Sequence, residues 1–357
     1  MKTLLAVFLI ISFLAPAQDF SKLDKWMEDK TPDMGGRSVL LIYKDGKIIY
    51  SKVVNEMSRR QKRAAKIIAR RADKEPNTDN FATDARQPIA SCSKWLSAAL
   101  VMTFVDEGKL NLTDTVGTYL PVMSKNGKGN ITIAQCLSHT TGIEAPPLKE
   151  DLSEMRSISS MDEAIEKIAE LPMEGTPGKV FHYSNAGLQI AAAVIEKISG
   201  KNFKQLFAER IAKPLGMEDT DFGSGKVPLP AGGAITTPED YIKFLTMILN
   251  KGVFKDKRIL SENSIAEMQI NRLTPDVKIA YSPAEAGGTG YGFGEWVMDS
   301  SKAGNLSRTV SSPGLFGSFP WVDNQKHYCA FLMTYYIKPD GRAERYKELK
   351  EIVDEIL

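Results

Sequence analysis

Two short clusters, Ser91 with Lys94 and Tyr183 with Asn185, hold the residue types whose spacing could do chemistry. Ser91 and Lys94 open "SCSKWLSAALVMTFVDEG", where apolar residues recur at helical spacing. Residues three apart on a helix share a face and can touch. A serine hydroxyl is a weak nucleophile near neutral pH and needs a base beside it. A lysine, with an ordinary pKa of about 10.4, serves as that base only when burial or a nearby cation depresses it. The apolar run behind Lys94 is a reason for such a depression. A helix start also aims backbone N–H groups at developing negative charge. The structural alternative is a solvated helix start, with Ser91 as cap and Lys94 snorkelling outward. No second Ser-x-x-Lys occurs in the chain, which singles this one out.

"PGKVFHYSNAGLQI" carries the chain's single Tyr-x-Asn, Tyr183-Ser184-Asn185, again directly ahead of an apolar helix. A phenol can carry protons between nucleophile and leaving group. A side-chain amide can accept from Lys94 and donate to a substrate carbonyl. The alternative is a capping turn with a core tyrosine. The three histidines and three cysteines show no metal-ligand spacing, no CxxC and no disulfide framework. His139 is expected to hydrogen-bond a loop, His182 to point away from the side Tyr183 takes, and Cys92 to fill core. "GGTGYGFGEW" lacks the lysine of a phosphate loop.

These side chains need elements to hold them. With 357 residues, 43% hydrophobic content, 25% charged content and a net charge of +2, the chain can bury a large core. That charge gives no whole-chain pull toward nucleic acid. "RSVLLIYKDGKIIYSKVV" reads as a hairpin turning at Asp45-Gly46. From about residue 91 to 235 the pattern is mostly helical, with Gly200 as a C-cap, and Thr237 and Pro238 open a further helix. Strand patterns return in "YGFGEWVMD", "LFGSFPWVD" and "HYCAFLMTYY", and a helix closes the chain. The economical fold class is α+β: an antiparallel sheet from both ends (about 18–90 and 236–357), flanked by helices, with an inserted, mostly helical lobe (about 91–235). A cleft between the lobes would be the place for a small-molecule site. The segment 58–71, "SRRQKRAAKIIARR", has seven basic side chains and no acid. It is expected to be a solvated helix with Ala64, Ala65, Ile67 and Ile68 turned inward, the alternative being a contact with anionic envelope polymers. The N-terminus, with Lys2, an apolar run from Leu4 to Leu14 and Ala15-Pro16-Ala17, fits a secretory signal cleaved near Ala17, hence a periplasmic or secreted protein.

The pairing of the two clusters resembles the serine penicillin-recognising enzymes, whose class A pattern is S-x-x-K, S-D-N and K-T-G. With Tyr183 leading the second element, the likeness is to the class C β-lactamase branch and its esterase, D-aminopeptidase and DD-carboxypeptidase relatives. "ITIAQCLSHTTGI", "PLGMEDT", "AGGAITTPEDYIKFL", "GYGFGEW" and "GLFGSFPWVD" resemble family segments in family order, so the likeness spans nearly all of the chain after residue 17. It implies a β-lactamase/transpeptidase-like fold in which Ser91 is acylated, Lys94 takes its proton, Tyr183 is general base and acid, and Asn185 orients Lys94 and the substrate. It places the third element at Ser312-Pro313-Gly314, with the N–H groups of Ser91 and Leu315 as oxyanion hole and no cofactor or metal. Here the sequence departs from the pattern: no K-T-G occurs, and Ser312 brings no charge. Losing that cation disfavours anionic substrates by roughly tenfold to a hundredfold. The resemblance therefore implies an esterase-like hydrolase of small esters or peptides. D-Ala-D-Ala-type peptidase, D-aminopeptidase, weak β-lactamase and a non-catalytic binding protein are the alternatives. Arg308 and Lys302 are candidates to replace the missing charge.

Overall fold

A computed structural model describes residues 18–71, 75–283, 290–299, 304–338 and 340–357. The expected signal segment and Lys302 lie outside the described residues. In chain order the elements that matter here are α1 (Ser21–Lys30), β1 (Arg37–Lys44), β2 (Lys47–Asn55), α2 (Arg59–Arg71), α3 (Ser93–Asp106), α4 (Leu148–Ser157), α5 (Ala186–Ser199) and α6 (Pro238–Leu249). Then come β3 (Gly290–Tyr291), β4 (Trp296–Val297), β5 (Thr309–Ser311), β6 (Phe319–Asp323), β7 (Tyr328–Thr334) and α7 (Arg342–Ile356).

The strands form one seven-stranded antiparallel sheet, ordered β2-β1-β7-β6-β5-β4-β3. The β1–β2 turn has Asp45 and Gly46 at φ 49° and 82°, the positive-φ pair that a tight hairpin demands. Strand side chains alternate between two cores because the pleat has period two. Val39 and Leu41, with Phe331 and Met333, face the helical side. Leu40 and Ile42, with Leu332, face Trp26 and Met27 of α1 and Leu349 and Val353 of α7. Helices thus cover both faces of the sheet, and α6 lies across β1 and β7. This is the α+β arrangement expected from strands at both ends and helices between.

Local signals set the helix ends. Thr237 Oγ1 accepts from Asp240 N at 3.1 Å, capping α6, and Gly200 ends α5 at φ 69°. α3 is apolar all round, with every residue from Ser93 to Phe104 buried, as a helix in the centre of a large core must be. One expectation fails. Among the described side chains of α2 only Ala69 is buried, whereas Ile67 and Ile68 are 49% and 56% exposed. Ala69, Ala65 and Gln61 lie on the packed arc of the helix, and the isoleucines fall outside it.

α5 starts directly after Asn185, so its packing places the Tyr183–Asn185 cluster. Gly187 allows that approach: a Cβ there would collide with the carbonyl of Cys136 in the short helix Ile133–Leu137. Gly187→Ala is expected to destabilise the protein by about 1–3 kcal/mol, read as a lower urea midpoint with an unchanged slope.

Candidate active site

The residues before α3 turn sharply. Ala90 holds φ 47°, a left-handed conformation that costs a non-glycine residue of order 1 kcal/mol or more. Ser91 follows in a single 3-10 turn, part-exposed at the floor of a cleft of about 150 Å³. Side chains and backbone brace this turn. Ser93 Oγ donates to Ala90 O at 2.6 Å and accepts from Ala234 N at 2.9 Å, while Tyr241 Oη donates to Cys92 O at 2.8 Å. The strain sits where the surrounding structure fixes it from several sides.

Lys94 is one turn further on and 2% exposed. Its Nζ donates to Ala231 O at 2.9 Å and to Ser91 Oγ at 3.2 Å, with a longer 3.5 Å contact to Asn185 Oδ1. The Tyr183 ring lies over the same amine, 4.6 Å from Nζ to the ring centroid. Burial outweighs these partners and pushes the Lys94 pKa down to about 7, against the opposing pull of Asp151 and Cys92. An amine that is half neutral near pH 7 and in contact with a serine hydroxyl can take that hydroxyl's proton.

Tyr183 sits in an aromatic cluster, 4.7 Å from the His139 ring and 5.1 Å from Trp296 between centroids. His139 takes no place beside Ser91. Its Nε2 pairs with Tyr291 Oη at 3.1 Å, and burial and the nearby Lys94 hold it well below the usual histidine range. His182 turns the other way, to Glu174 at 2.6 Å, and Cys92 is fully buried with its thiol pKa raised. Among the described residues no group of His, Cys, Asp and Glu could hold a metal ion.

The third element behaves differently from its expected role. Pro313, Gly314 and Leu315 line the cleft, but Ser312 does not. Ser312 is buried, and its hydroxyl lies within donating distance of the Gly294 and Ser91 carbonyls, at 2.9 and 3.2 Å. These contacts tie the residue after β5 to the nucleophile turn and to the Gly294 peptide. A Cβ at Gly314 would collide with the Ile89 carbonyl, so glycine is required by close approach. Gly314 N donates to Ser318 O at 2.8 Å, closing a turn that presents the next peptide. Among the described residues, neither the Ser91 nor the Leu315 N–H has a backbone acceptor, so both are available to an oxyanion.

Two site residues were not singled out by the sequence. Asp151 of α4 accepts from Asn185 Nδ2 at 2.6 Å, which fixes the amide with its oxygen toward Lys94. Burial raises the Asp151 pKa, while Asn185 and Lys94 oppose that rise. Arg342, the first residue of α7, lines the cleft and is 1% exposed. Its Nη2 lies near the Lys338, Tyr336 and Ile337 carbonyls, at 3.1, 3.4 and 3.4 Å, and the guanidinium packs over the Tyr336 ring, while among the described residues Nε and Nη1 have no hydrogen-bond partner. Arg308, the other described candidate for the missing cation, is exposed and outside the cleft. A larger concavity, about 690 Å³, lies far from this chemistry, between Tyr43, Ile48, Lys243 and Phe254. Among its described lining residues no serine lies against a buried lysine, and Thr83 instead donates to the exposed Glu239, so volume alone does not locate the site.

The family model described as Beta-lactamase matches residues 32–353. The chain belongs to this family. Family and fold are those of serine hydrolases of the β-lactamase and penicillin-binding-protein superfamily. This family member is similar to protein Rv1367c of Mycobacterium tuberculosis, at 27% identity over 288 residues covering 65% of this chain and 71% of the relative. It is 22% identical over 296 residues to the D-alanyl-D-alanine-carboxypeptidase/endopeptidase AmpH of Escherichia coli K12, covering 75% and 74% of the two chains. Among solved structures, one from Bacteroides dorei, provisionally described as a β-lactamase, superposes with a TM-score of 0.77 at 27% identity over 95% of this chain and 99% of that one. A family VIII carboxylesterase shares the fold, with a TM-score of 0.73 at 18% identity over 96% and 98%.

The electrostatics can be tested without turnover. Titrating the Lys94 ε-carbon signal by NMR is expected to give a midpoint near pH 7. Asp151→Asn removes a negative charge that favours the ammonium, so the midpoint moves lower. A midpoint near the ordinary value of about 10 would contradict the burial account.

Proposed function

We propose that this protein is an exported, esterase-like serine hydrolase that cleaves small esters through an acyl-enzyme on Ser91. The observation that carries this reading is the 3.2 Å contact between Ser91 Oγ and a Lys94 amine whose pKa is about 7. The neutral amine accepts the hydroxyl proton as Oγ bonds to the carbonyl carbon. The oxyanion that forms is met by the Ser91 and Leu315 N–H groups. On collapse the bond to the leaving oxygen breaks, and the proton held by Lys94 passes to it, with Tyr183 beside Lys94 as the relay. Water then attacks the acyl carbon, loses its proton to the same pair, and frees Ser91. Asn185 keeps one amide hydrogen for a substrate carbonyl, the other being taken by Asp151. The cleft walls are largely apolar, with Leu148, Pro283, Trp296, Pro313 and Leu315, which suits a short, uncharged acyl group.

A second reading, a peptidase acting on carboxylate-terminated peptides, is favoured by Arg342. This buried guanidinium, whose Nε and Nη1 have no hydrogen-bond partner among the described residues, could take the anion that Ser312 cannot. Hydrolysis of p-nitrophenyl acyl esters and of D-Ala-D-Ala peptides separates the two. Arg342→Met should cost carboxylate substrates roughly tenfold to a hundredfold and spare neutral esters.

For the ester reaction, kcat/KM is expected to rise with pH through about 7 as Lys94 loses its proton. Ser91→Ala should lower it by roughly 10³-fold or more. Treatment with a fluorophosphonate should add one adduct mass, mapped to Ser91. A folded protein that hydrolyses no ester and leaves Ser91 unlabelled would remove the proposal.

A further inference from the structure

Away from the cleft, α2 concentrates cationic charge on the surface. Arg59, Arg60, Lys62, Arg63, Lys66 and Arg70 are all exposed, and none pairs with a carboxylate among the described residues. No acidic residue interrupts the run from Ser58 to Arg71. The helix is anchored along one narrow arc. Gln61 accepts from Ser58 N at 2.8 Å and donates to Pro32 O at 2.7 Å, and Ala69 is buried.

What lies beside those cations is a groove of mixed character, with aliphatic side chains along α2 and the polar Glu75 and Asn77 at one end. Ile67 sits among the basic side chains, and Ile68 borders a groove of about 380 Å³ whose far wall carries Ile337, itself 53% exposed. Met57, Ala64 and Ala65 extend the same groove. A helix that only needed solvation would have no use for two exposed isoleucines with a third, Ile337, across the groove, since exposed aliphatic surface grouped in this way is uncommon unless something covers it. Charge selects a polyanion, and the isoleucines select one with an apolar layer beneath its anions. A phospholipid bilayer has that structure, a layer of phosphates over hydrocarbon. A soluble polyanion would answer the charge and leave the isoleucines wet.

We propose that α2, together with Ile337, is a docking surface for an anionic phospholipid membrane. This stands independently of what the Ser91 cleft hydrolyses. The two are nonetheless near each other, because Ile337 and the cleft-lining Arg342 are five positions apart in the chain, a span of at most roughly 17 Å. A docked molecule would hold its cleft close to the membrane surface.

The test is co-sedimentation of the full chain with two kinds of vesicle, pure phosphatidylcholine and phosphatidylcholine mixed two to one with phosphatidylglycerol. Partitioning into the mixed vesicles is expected to exceed that into pure phosphatidylcholine by at least tenfold and to fall as salt rises. Arg63→Glu combined with Lys66→Glu should remove the excess. Ile67→Asn combined with Ile68→Asn should reduce it by at least fivefold at unchanged charge. Every variant carries the same N-terminal apolar run, so differences among them report α2, and far-UV circular dichroism with thermal melting confirms that each is folded. Equal binding to both vesicle types would overturn the proposal. So would isoleucine variants that bind like the parent while inorganic polyphosphate competes fully, since that outcome describes a polyanion site with no membrane component.

Discussion

The site depends on keeping one amine out of water. An ammonium moved into a protein interior loses hydration worth several kcal/mol even after relaxation, so a buried lysine must either shed its proton or be surrounded by acceptors. Lys94 does some of each. Ala231 O is its one short backbone acceptor, Ser91 Oγ and the Tyr183 ring are its partial ones, and Asp151 acts from behind Asn185. A stronger cage, with a carboxylate in direct contact, would restore the ordinary pKa and leave no base. A weaker one would leave the lysine unable to hold its place. The apolar surround of α3 and the indirect placement of Asp151 together put the amine near neutrality.

That balance explains which parts of the site were legible in the sequence. Ser91 and Lys94 stand out because a hydroxyl and an amine at helical spacing open an otherwise apolar stretch. Tyr183 and Asn185 stand out for the same reason ahead of α5. Asp151 does not. It is one of three acids in "LKEDLSEMRS", an amphipathic surface helix in which nothing local distinguishes the acid that turns inward. Arg342 is similarly hidden among the charges of "RAERYKELKE", and only the tertiary placement of α7 against the cleft picks it out. The sheet was readable from its period-two runs and its Asp-Gly turn, whereas β5 is too short at three residues to announce itself. For α2 the helix was readable but its inward arc was not. Its alanines and isoleucines are spread around the axis, and the arc chosen is the one on which Gln61 bonds Pro32 and Ala69 is buried.

The third element shows which of its properties geometry requires and which chemistry can move elsewhere. The end of β5 must come close enough to the nucleophile turn to present a peptide N–H opposite that of Ser91. That closeness is why Gly314 tolerates no side chain beside the Ile89 carbonyl. The requirement is local and cannot be met from anywhere else in the fold. A positive charge is different, because its field reaches across the cleft and only its distance matters. At Ser312 the charge is absent and the hydroxyl is turned down to the Ser91 and Gly294 carbonyls, where it reinforces the strained turn begun at Ala90. Arg342, the first residue of α7, also lines the cleft, so a guanidinium lies within it although Ser312 carries no charge. At this strand end the glycine thus keeps the close approach to Ile89, while the serine hydroxyl directs its hydrogen-bonding capacity to the nucleophile turn.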